Sequence, residues 1–145
     1  MNSSDPLSIA PHRPGCTADS HGRRAVIVTG AAKRLGRAIA LHLAGQGWDV
    51  IVHFHRSAGE ADATVADIQA LGRRAIALGA DLADEPAVDA LFDAAITQLP
   101  VRAVVNSASH FEHDAPASFS AARLLQHLGP NLAGPVRLAQ RLHGA

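Results

Sequence analysis

The stretch that decides the fold is Val26-Ile27-Val28-Thr29-Gly30-Ala31-Ala32-Lys33-Arg34-Leu35-Gly36-Arg37. A short β-branched run passes directly into a glycine-containing turn, and apolar residues then recur at helical spacing. This order is typical of a nucleotide-binding βα unit, in which free N–H groups and the helix dipole favour an anion. We predict that Gly30 makes the sharp turn and that Gly36 lets the backbone approach a pyrophosphate.

The bulk composition is that of one globular domain. The chain has 145 residues, of which 48% are hydrophobic and 18% charged, and its formal net charge is zero. Without a long basic run or a long apolar segment, we expect a small-molecule partner and neither a nucleic-acid nor a membrane partner. The single Cys16 excludes an internal disulfide framework and predicts a cytoplasmic protein. Residues 1–22 carry prolines and lack the apolar centre of a signal peptide, which predicts a disordered extension before a domain at 23–145.

Strand-like and helix-like segments alternate from Arg24 onward, which predicts an α/β fold, a doubly wound parallel sheet with flanking helices. The predicted strands are 25–29, 49–54, 75–78 and 101–105. The predicted buried helix stripes are Leu35, Ala38, Ile39 and Leu43, then Ala61, Val65, Ile68 and Leu71, then Val88, Leu91, Phe92, Ala95, Ile96 and Leu99.

Three further predictions concern helix ends. Asp84 is expected to cap the third helix. A fourth helix is predicted over Ser118–Leu128, interrupted by Gly129-Pro130, and a helix resumes over Asn131–Leu142. The chain then stops without the further strands that would complete a two-halved nucleotide fold.

The end of the second predicted strand indicates which nicotinamide cofactor would bind. An NAD site usually places a carboxylate there for the ribose hydroxyls, but Asp49 lies at the opposite end of this strand. The expected position carries His55, Arg56 and Ser57 instead, a set that suits a 2′-phosphate and predicts NADPH over NADH. A solvated surface arginine is the alternative interpretation of Arg56.

Five ordered motifs resemble the short-chain dehydrogenase/reductase family, and within it the pteridine reductases. The common Thr-Gly-x-x-x-Gly-x-Gly pattern is present as Thr29, Gly30 and Gly36, with Arg34 at the middle glycine as in the pteridine reductase variant. The other motifs are His53-Phe54-His55-Arg56-Ser57, Ala80-Asp81-Leu82, Asn106-Ser107-Ala108-Ser109 and Asn131. The resemblance implies a Rossmann-type sheet, truncated after about four strands and covering about the N-terminal half of the family fold.

The resemblance also implies which residues bind the cofactor. They are Gly30, Lys33, Arg34, Leu35, Gly36, His55, Arg56, Ser57, Asp81, Leu82, Asn106, Ala108 and Ser109. Asp81 would hold the adenine ring, although an Asp in a loop often bonds only its own backbone. Ser107 departs from the second Asn of the family motif.

For the substrate, the resemblance implies Arg34, Ser109 and Phe111. Phe111 would stack a pterin against nicotinamide, and core packing is the alternative. Asn131 matches the family Asn that helps hold an active-site water and proton relay, but it could equally cap a helix after Pro130. We predict no metal site at His53 and His55 or at His110 and His113, because metal sites need three or four converging ligands.

In this family a downstream Tyr and Lys complete the reduction, and the sequence contains no tyrosine. The resemblance therefore implies an NADPH-dependent oxidoreductase acting on a pterin, a dihydrofolate or another carbonyl or imine compound, with this chain as an inactive N-terminal part. A full-length form would be a homo-oligomer. The alternative is a non-catalytic NADPH-binding sensor or interaction module, which would need a partner to cover the edge of the fourth strand.

Overall fold

The protein is described by a computed structural model that covers residues 22–113 and 115–145. Cys16 and the predicted extension, apart from Gly22, lie outside the described residues. The described residues form four strands: β1 (Ala25–Val28), β2 (Asp49–Phe54), β3 (Ala75–Gly79) and β4 (Val101–Val105). The same part of the chain forms five α-helices: α1 (Arg34–Gly45), α2 (Ala58–Ala70), α3 (Glu85–Gln98), α4 (Ala121–Leu128) and α5 (Gly134–His143).

The four strands form one parallel sheet in the order β3-β2-β1-β4. Val26 of β1 is in register with Val50 of β2 and with Ala103 of β4. This confirms the predicted parallel sheet. Because all strands run the same way, the loops after β1, β2, β3 and β4 meet at the carboxyl edge of the sheet, where open α/β folds bind ligands.

Both faces of the sheet are covered, as parallel strands require. Ala25 and Ile27 of β1 belong to a cluster with α3 and α5 that includes the buried Phe92. Val26 and Val28 face the opposite way and pack with residues of α1 and α2. The alternation along β1 therefore places helices on both sides and leaves only the edges of the sheet free for loops.

The buried face of α1 differs from the predicted stripe. Its buried residues are Gly36, Ala40 and Ala44, whereas Leu35 is 70% exposed. Small side chains on this face let α1 lie close to the sheet. Side-chain volume therefore decided which face of α1 is buried more than side-chain hydrophobicity did. The predicted Ala38 is exposed as well, while Ile39 and Leu43 are half-buried.

Two other residues that were predicted to lie on buried helix stripes are exposed. Leu71 is 52% exposed because α2 ends at Ala70, so the helical spacing no longer applies to the next residue. Ile96 is 42% exposed because it lies at the edge of the stripe of α3. The remaining predicted stripe residues of α3 are buried: Val88, Leu91, Phe92, Ala95 and Leu99.

Three helix ends differ from prediction. Asp84 lies at the N-cap of α3, but its side chain makes no capping hydrogen bond. The segment Pro116–Ser118 is a 3₁₀ turn, and α4 begins only at Ala121, where Ser120 Oγ accepts the Arg123 N–H at 3.2 Å. Gly129–Ala133 is π-helical and joins α4 to α5 without the predicted interruption. Pro130 has no N–H to donate, and the wider turn accommodates that loss.

Ion pairs hold α5 against α3. Arg137 donates two hydrogen bonds to Asp89, at 2.8 and 2.7 Å, and Arg141 lies 3.1 Å from the same carboxylate. The hydrogen bond from Arg137 is the main cause that lowers the pKa of Asp89 below its ordinary value. The contact anchors α5 and therefore the π-helical segment that precedes it.

Within the part of the chain that the structure covers, no helix has the length and apolarity to cross a membrane.

Candidate cofactor site

Two adjoining clefts of about 570 and 440 Å³ open at the carboxyl edge of the sheet. The larger lies between the loop after β3 and α4, and the smaller lies over the glycine turn. Both are lined by His53, His55, Arg56, Ala108 and Ser109. The clefts bring together these predicted residues: Gly30, Lys33, Arg34, Leu35, Gly36, His55, Arg56, Ser57, Asp81, Leu82, Ala108 and Ser109. Asn106, Phe111 and Asn131 line neither cleft.

The glycine turn is shaped by two close approaches. Gly30 has a φ of +65°, and a Cβ on it would lie 2.9 Å from the Cα of Ala108. A Cβ on Gly36 would lie 2.2 Å from the carbonyl oxygen of Gly30. Gly36 is therefore required by packing inside the turn itself. Its approach to a pyrophosphate stays a prediction.

Arg34 occupies a backbone conformation that normally requires glycine. Its φ is +54°, and it is the only non-glycine residue with positive φ among those that the structure describes. For a residue with a Cβ, the left-handed conformation is about 1–2 kcal/mol less favourable than the right-handed one. The position coincides with the middle glycine of the common family pattern, so the turn keeps the glycine geometry and adds a cation.

His53 was missed by the sequence predictions as a residue that shapes the site. Its side chain is buried, its Nδ1 accepts the Gly30 N–H at 3.2 Å, and its Nε2 lies 3.1 Å from the Ala80 carbonyl oxygen. Burial is the main cause that lowers its pKa from the ordinary 6.5. Two sequence signals could have found it: its place at the start of the motif His53-Phe54-His55-Arg56-Ser57, and its polar side chain within the apolar run of β2.

Thr29 holds the loop that follows β4. Its Oγ1 accepts the N–H groups of Ser107 at 2.9 Å and Ala108 at 3.0 Å, and it donates to the Val105 carbonyl at 3.4 Å. The backbone of Ser107 is therefore held by Thr29. The departure of Ser107 from the family Asn does not remove this contact.

The charges of the smaller cleft are mainly positive. Lys33, Arg34 and Arg56 line it, and none of the described residues that line it carries a carboxylate. Lys33 also lies 3.7 Å from Glu60, which stands outside the cleft lining. Arg56 is exposed and reaches both clefts. An anion is the ligand type that this arrangement favours.

Asp81 makes the local hydrogen bond that was the alternative interpretation. Its Oδ1 accepts the Ala83 N–H at 2.9 Å. Its Oδ2 lies 3.8 Å from Nε2 of His55, which comes from the loop after β2. Asp81 therefore shapes its own loop with one carboxylate oxygen and faces His55 across the larger cleft with the other.

Asn131 does not cap a helix, because it lies inside the π-helical segment. Its side chain forms hydrogen bonds with the backbone N–H and carbonyl of His110, and His127 Nδ1 donates to that carbonyl oxygen at 3.2 Å.

Phe111 is 77% exposed and its ring lies 5.7 Å from that of His113. Core packing is therefore wrong as the explanation of Phe111.

The histidine pairs do not assemble a metal centre in the described part of the chain. No group of three or more His, Cys, Asp or Glu side chains there could hold a metal ion. Both ring nitrogens of His53 are used by protein partners.

Comparison with known proteins agrees with this geometry. The sequence profile of the short chain dehydrogenases matches residues 24–144. The chain belongs to the short-chain dehydrogenase family. This confirms the predicted family, and the match covers every cleft residue named above.

Relatives of this short-chain dehydrogenase chain include reductases of several kinds. The 1-cyclohexenylcarbonyl-CoA reductase of Streptomyces collinus is 34% identical over 122 residues, which is 84% of this chain and 40% of that reductase. A solved short chain dehydrogenase of Burkholderia cenocepacia in complex with NADP has a TM-score of 0.80 at 34% identity, covering 83% of this chain and 50% of that one.

A second solved structure bears on the predicted subfamily. FolM alternative dihydrofolate reductase 1 of Brucella canis, complexed with NADP, has a TM-score of 0.78 at 34% identity and covers 85% of this chain and 48% of its own. This likeness agrees with the predicted closeness to pteridine reductases. The chain spans 31% and 24% of the length of two other curated relatives that it matches.

Proposed function

We propose that these residues form the NADPH-binding part of a cytoplasmic, homo-oligomeric short-chain oxidoreductase that reduces a pterin, a dihydrofolate or a related carbonyl or imine compound. The observation that carries the proposal is the smaller cleft, which is lined by Lys33, Arg34 and Arg56 and, among residues 22–113 and 115–145, by no carboxylate. This charge pattern favours the 2′-phosphate that distinguishes NADPH from NADH. When bound, the nicotinamide would supply the hydride.

The shape of the glycine turn fits a dinucleotide. Gly30 and Gly36 both line the smaller cleft, so the backbone of the turn would face the pyrophosphate. Arg56 and Ser57, with His55, would hold the 2′-phosphate. In the larger cleft, Asp81 and Leu82 would hold the adenine ring. Ala108 and Ser109, which line both clefts, would border the adenosine ribose and nicotinamide together with Asn106, which lines neither.

The proposed substrate class is supported by the residues after β4 and by the FolM likeness. Ser109 lines both clefts, and the exposed ring of Phe111 follows it after one residue. An exposed aromatic ring beside a nicotinamide site can stack on a flat heterocycle. Ser109, Phe111 and Arg34 would then contact a pterin, and Asn131 would act in the proton relay.

We further propose that a polypeptide of these 145 residues binds NADPH without turnover. The sequence contains no tyrosine, so the proton donor that the family uses is not among these residues. Cofactor binding needs only the two clefts, whereas reduction also needs a proton donor beside the substrate. Steady-state assays with NADPH and a pterin test this, and substrate-dependent oxidation of NADPH would contradict it.

The binding assignment is tested by Arg56→Asp, with titrations of NADPH and NADH followed by cofactor fluorescence. We expect the Kd for NADPH to rise by about 10- to 100-fold, because a charge-assisted bond is replaced by repulsion. The Kd for NADH should change by less than about threefold, since NADH has no 2′-phosphate. Arg102→Asp is the matched control, because Arg102 is exposed on β4 and lines neither cleft. Equal losses for both cofactors would refute the assignment.

A further inference from the structure

We infer that His53 is a positioning residue that couples the glycine turn to the adenine loop, and that cofactor affinity depends on its neutral Nε2–H form. The inference rests on the proposed function and adds a residue to it. His53 lines both clefts, although its side chain is only 1% exposed. A cofactor that spans the clefts would contact the two segments that His53 joins.

The hydrogen bonds of His53 determine which form of the ring is compatible with the site. Nδ1 lies 3.2 Å from the backbone N–H of Gly30, so it must accept. Nε2 lies 3.1 Å from the carbonyl oxygen of Ala80, so it must donate. A neutral ring with its proton on Nε2 satisfies both contacts, and neither the other tautomer nor the imidazolium does.

The two segments that His53 joins come from different parts of the chain. Gly30 begins the turn that would face the pyrophosphate, and it packs against Ala108 from the loop after β4. Ala80 immediately precedes Asp81, the proposed adenine residue. The backbone of His53 reinforces the first contact, because its carbonyl oxygen accepts the Ala31 N–H at 2.9 Å. One side chain therefore fixes the spacing between two proposed binding segments.

Burial and a neighbouring histidine act against protonation of His53. Burial is the largest effect that lowers the pKa of its ring, repulsion by His55 of the same strand end adds to it, and the hydrogen bond to the Ala80 carbonyl opposes both. From the other segments, Asp81 lies 3.8 Å from His55, Lys33 and Arg34 line the smaller cleft, and His110 and Glu112 line the larger. Imidazolium formation would also set a ring N–H against the Gly30 N–H.

The test separates the two bonds of His53 by substitution. His53→Asn can place an acceptor near Gly30 but cannot reach Ala80, His53→Gln can place a donor near Ala80, and His53→Leu does neither. We expect the Kd for both NADPH and NADH to rise about tenfold or more in His53→Leu, and by smaller factors in the other two variants. Affinity should change similarly for both cofactors, because His53 does not contact the 2′-phosphate.

A control is needed for loss of stability alone. Asp49→Asn serves, because Asp49 is buried at the opposite end of β2 and lines neither cleft. It should lower the urea midpoint and leave both Kd values within about twofold. Circular dichroism on every variant confirms that the folded chain is being titrated.

Two readouts address the tautomer and the charge. In ¹⁵N-labelled protein, long-range ¹H–¹⁵N correlations should identify His53 as protonated on Nε2. The Kd for NADH should rise when the pH is lowered from about 7.5 to about 5.5 in the wild type, and rise less in His53→Gln. NADH is used here because it has no 2′-phosphate that titrates in the same range.

The possible outcomes distinguish this inference from the proposed function. Wild-type protein that binds neither cofactor would overturn both. Wild-type binding together with unchanged affinity in folded His53→Leu would overturn the role of His53 alone. An Nδ1–H tautomer would also overturn it, because Gly30 could then not donate to that nitrogen.

Discussion

The side chain of Asn131 uses both of its polar atoms on the backbone of His110. Oδ1 accepts the His110 N–H at 2.7 Å, and Nδ2 donates to the His110 carbonyl at 2.9 Å. The contact joins the π-helical segment to the loop that follows β4, across 21 residues of sequence. A loop that belongs to the candidate site is therefore held by a residue that lines neither cleft.

The first prediction concerns Asn131→Asp. The change puts an acceptor opposite the His110 carbonyl, so one hydrogen bond is replaced by repulsion while the side-chain shape is kept. We expect faster hydrogen exchange at the amides of His110 and Phe111, and a Kd for NADPH raised by about three- to tenfold. Hydrogen-exchange mass spectrometry and cofactor titration measure the two effects.

A matched control for this acid substitution is Gln140→Glu, because Gln140 is exposed on α5. It introduces the same charge away from the His110 contact and should leave exchange in the loop unchanged. If the His110 amide of Asn131→Asp exchanged its hydrogen at the wild-type rate, other contacts would have to hold the loop that follows β4.

The second prediction compares two glycine-to-alanine changes. In Gly36→Ala the new Cβ would lie 2.2 Å from the Gly30 carbonyl oxygen, a backbone contact that a rotamer change cannot relieve. We expect the free energy of unfolding to fall by about 3 kcal/mol or more. Gly59→Ala in α2 meets nothing within 4 Å and should raise stability by up to about 1 kcal/mol. Urea denaturation measures both, and similar midpoints for the two variants would contradict the packing role of Gly36.

The third prediction concerns the strained Arg34, whose φ is +54°. Arg34→Gly should raise the free energy of unfolding by about 1 kcal/mol, because glycine adopts this conformation without steric cost. Arg34→Ala keeps the Cβ and should give no such gain. Both variants should bind NADPH more weakly, since each removes a cation from the smaller cleft. Equal stability of the two variants would show that the backbone at this position is not strained.

The fourth prediction is a loss of stability in mild acid that depends on His53. The folded state lowers the pKa of His53 below the ordinary 6.5. As the pH falls below that value, the unfolded chain binds a proton that the folded chain does not, so stability decreases until the folded pKa is reached. The slope from this group is at most about 1.4 kcal/mol per pH unit.

Urea denaturation of wild type and His53→Gln between about pH 7.5 and about pH 5.5 measures this effect. The variant should lose less stability over the range, because the two proteins differ only in the titratable group at residue 53. Parallel curves for the two proteins would mean that His53 is protonated equally in the folded and unfolded states.

The strands, the family and most of the cleft residues could be predicted from the sequence alone. Short apolar runs predicted the four strands, most clearly β1 and β2, whose residues are nearly all buried. The motifs from Thr29 to Asn131 predicted the family. The absence of an acid after β2 predicted NADPH over NADH, and it agrees with the smaller cleft, whose described lining residues carry no carboxylate. These features depend on residue type and local order, which a sequence displays directly.

The roles of His53 and Asn131 were decided by the tertiary structure. His53 forms hydrogen bonds with Gly30 and Ala80, which lie 23 and 27 residues away in the sequence. Asn131 forms hydrogen bonds with His110, which lies 21 residues away. The buried face of α1 was also decided there, because close packing on the sheet selected its small residues over its large ones. These partners and this buried face depend on which groups, distant in the sequence, the fold brings within hydrogen-bonding or van der Waals distance. The spacing of residues along the chain does not show which groups those are.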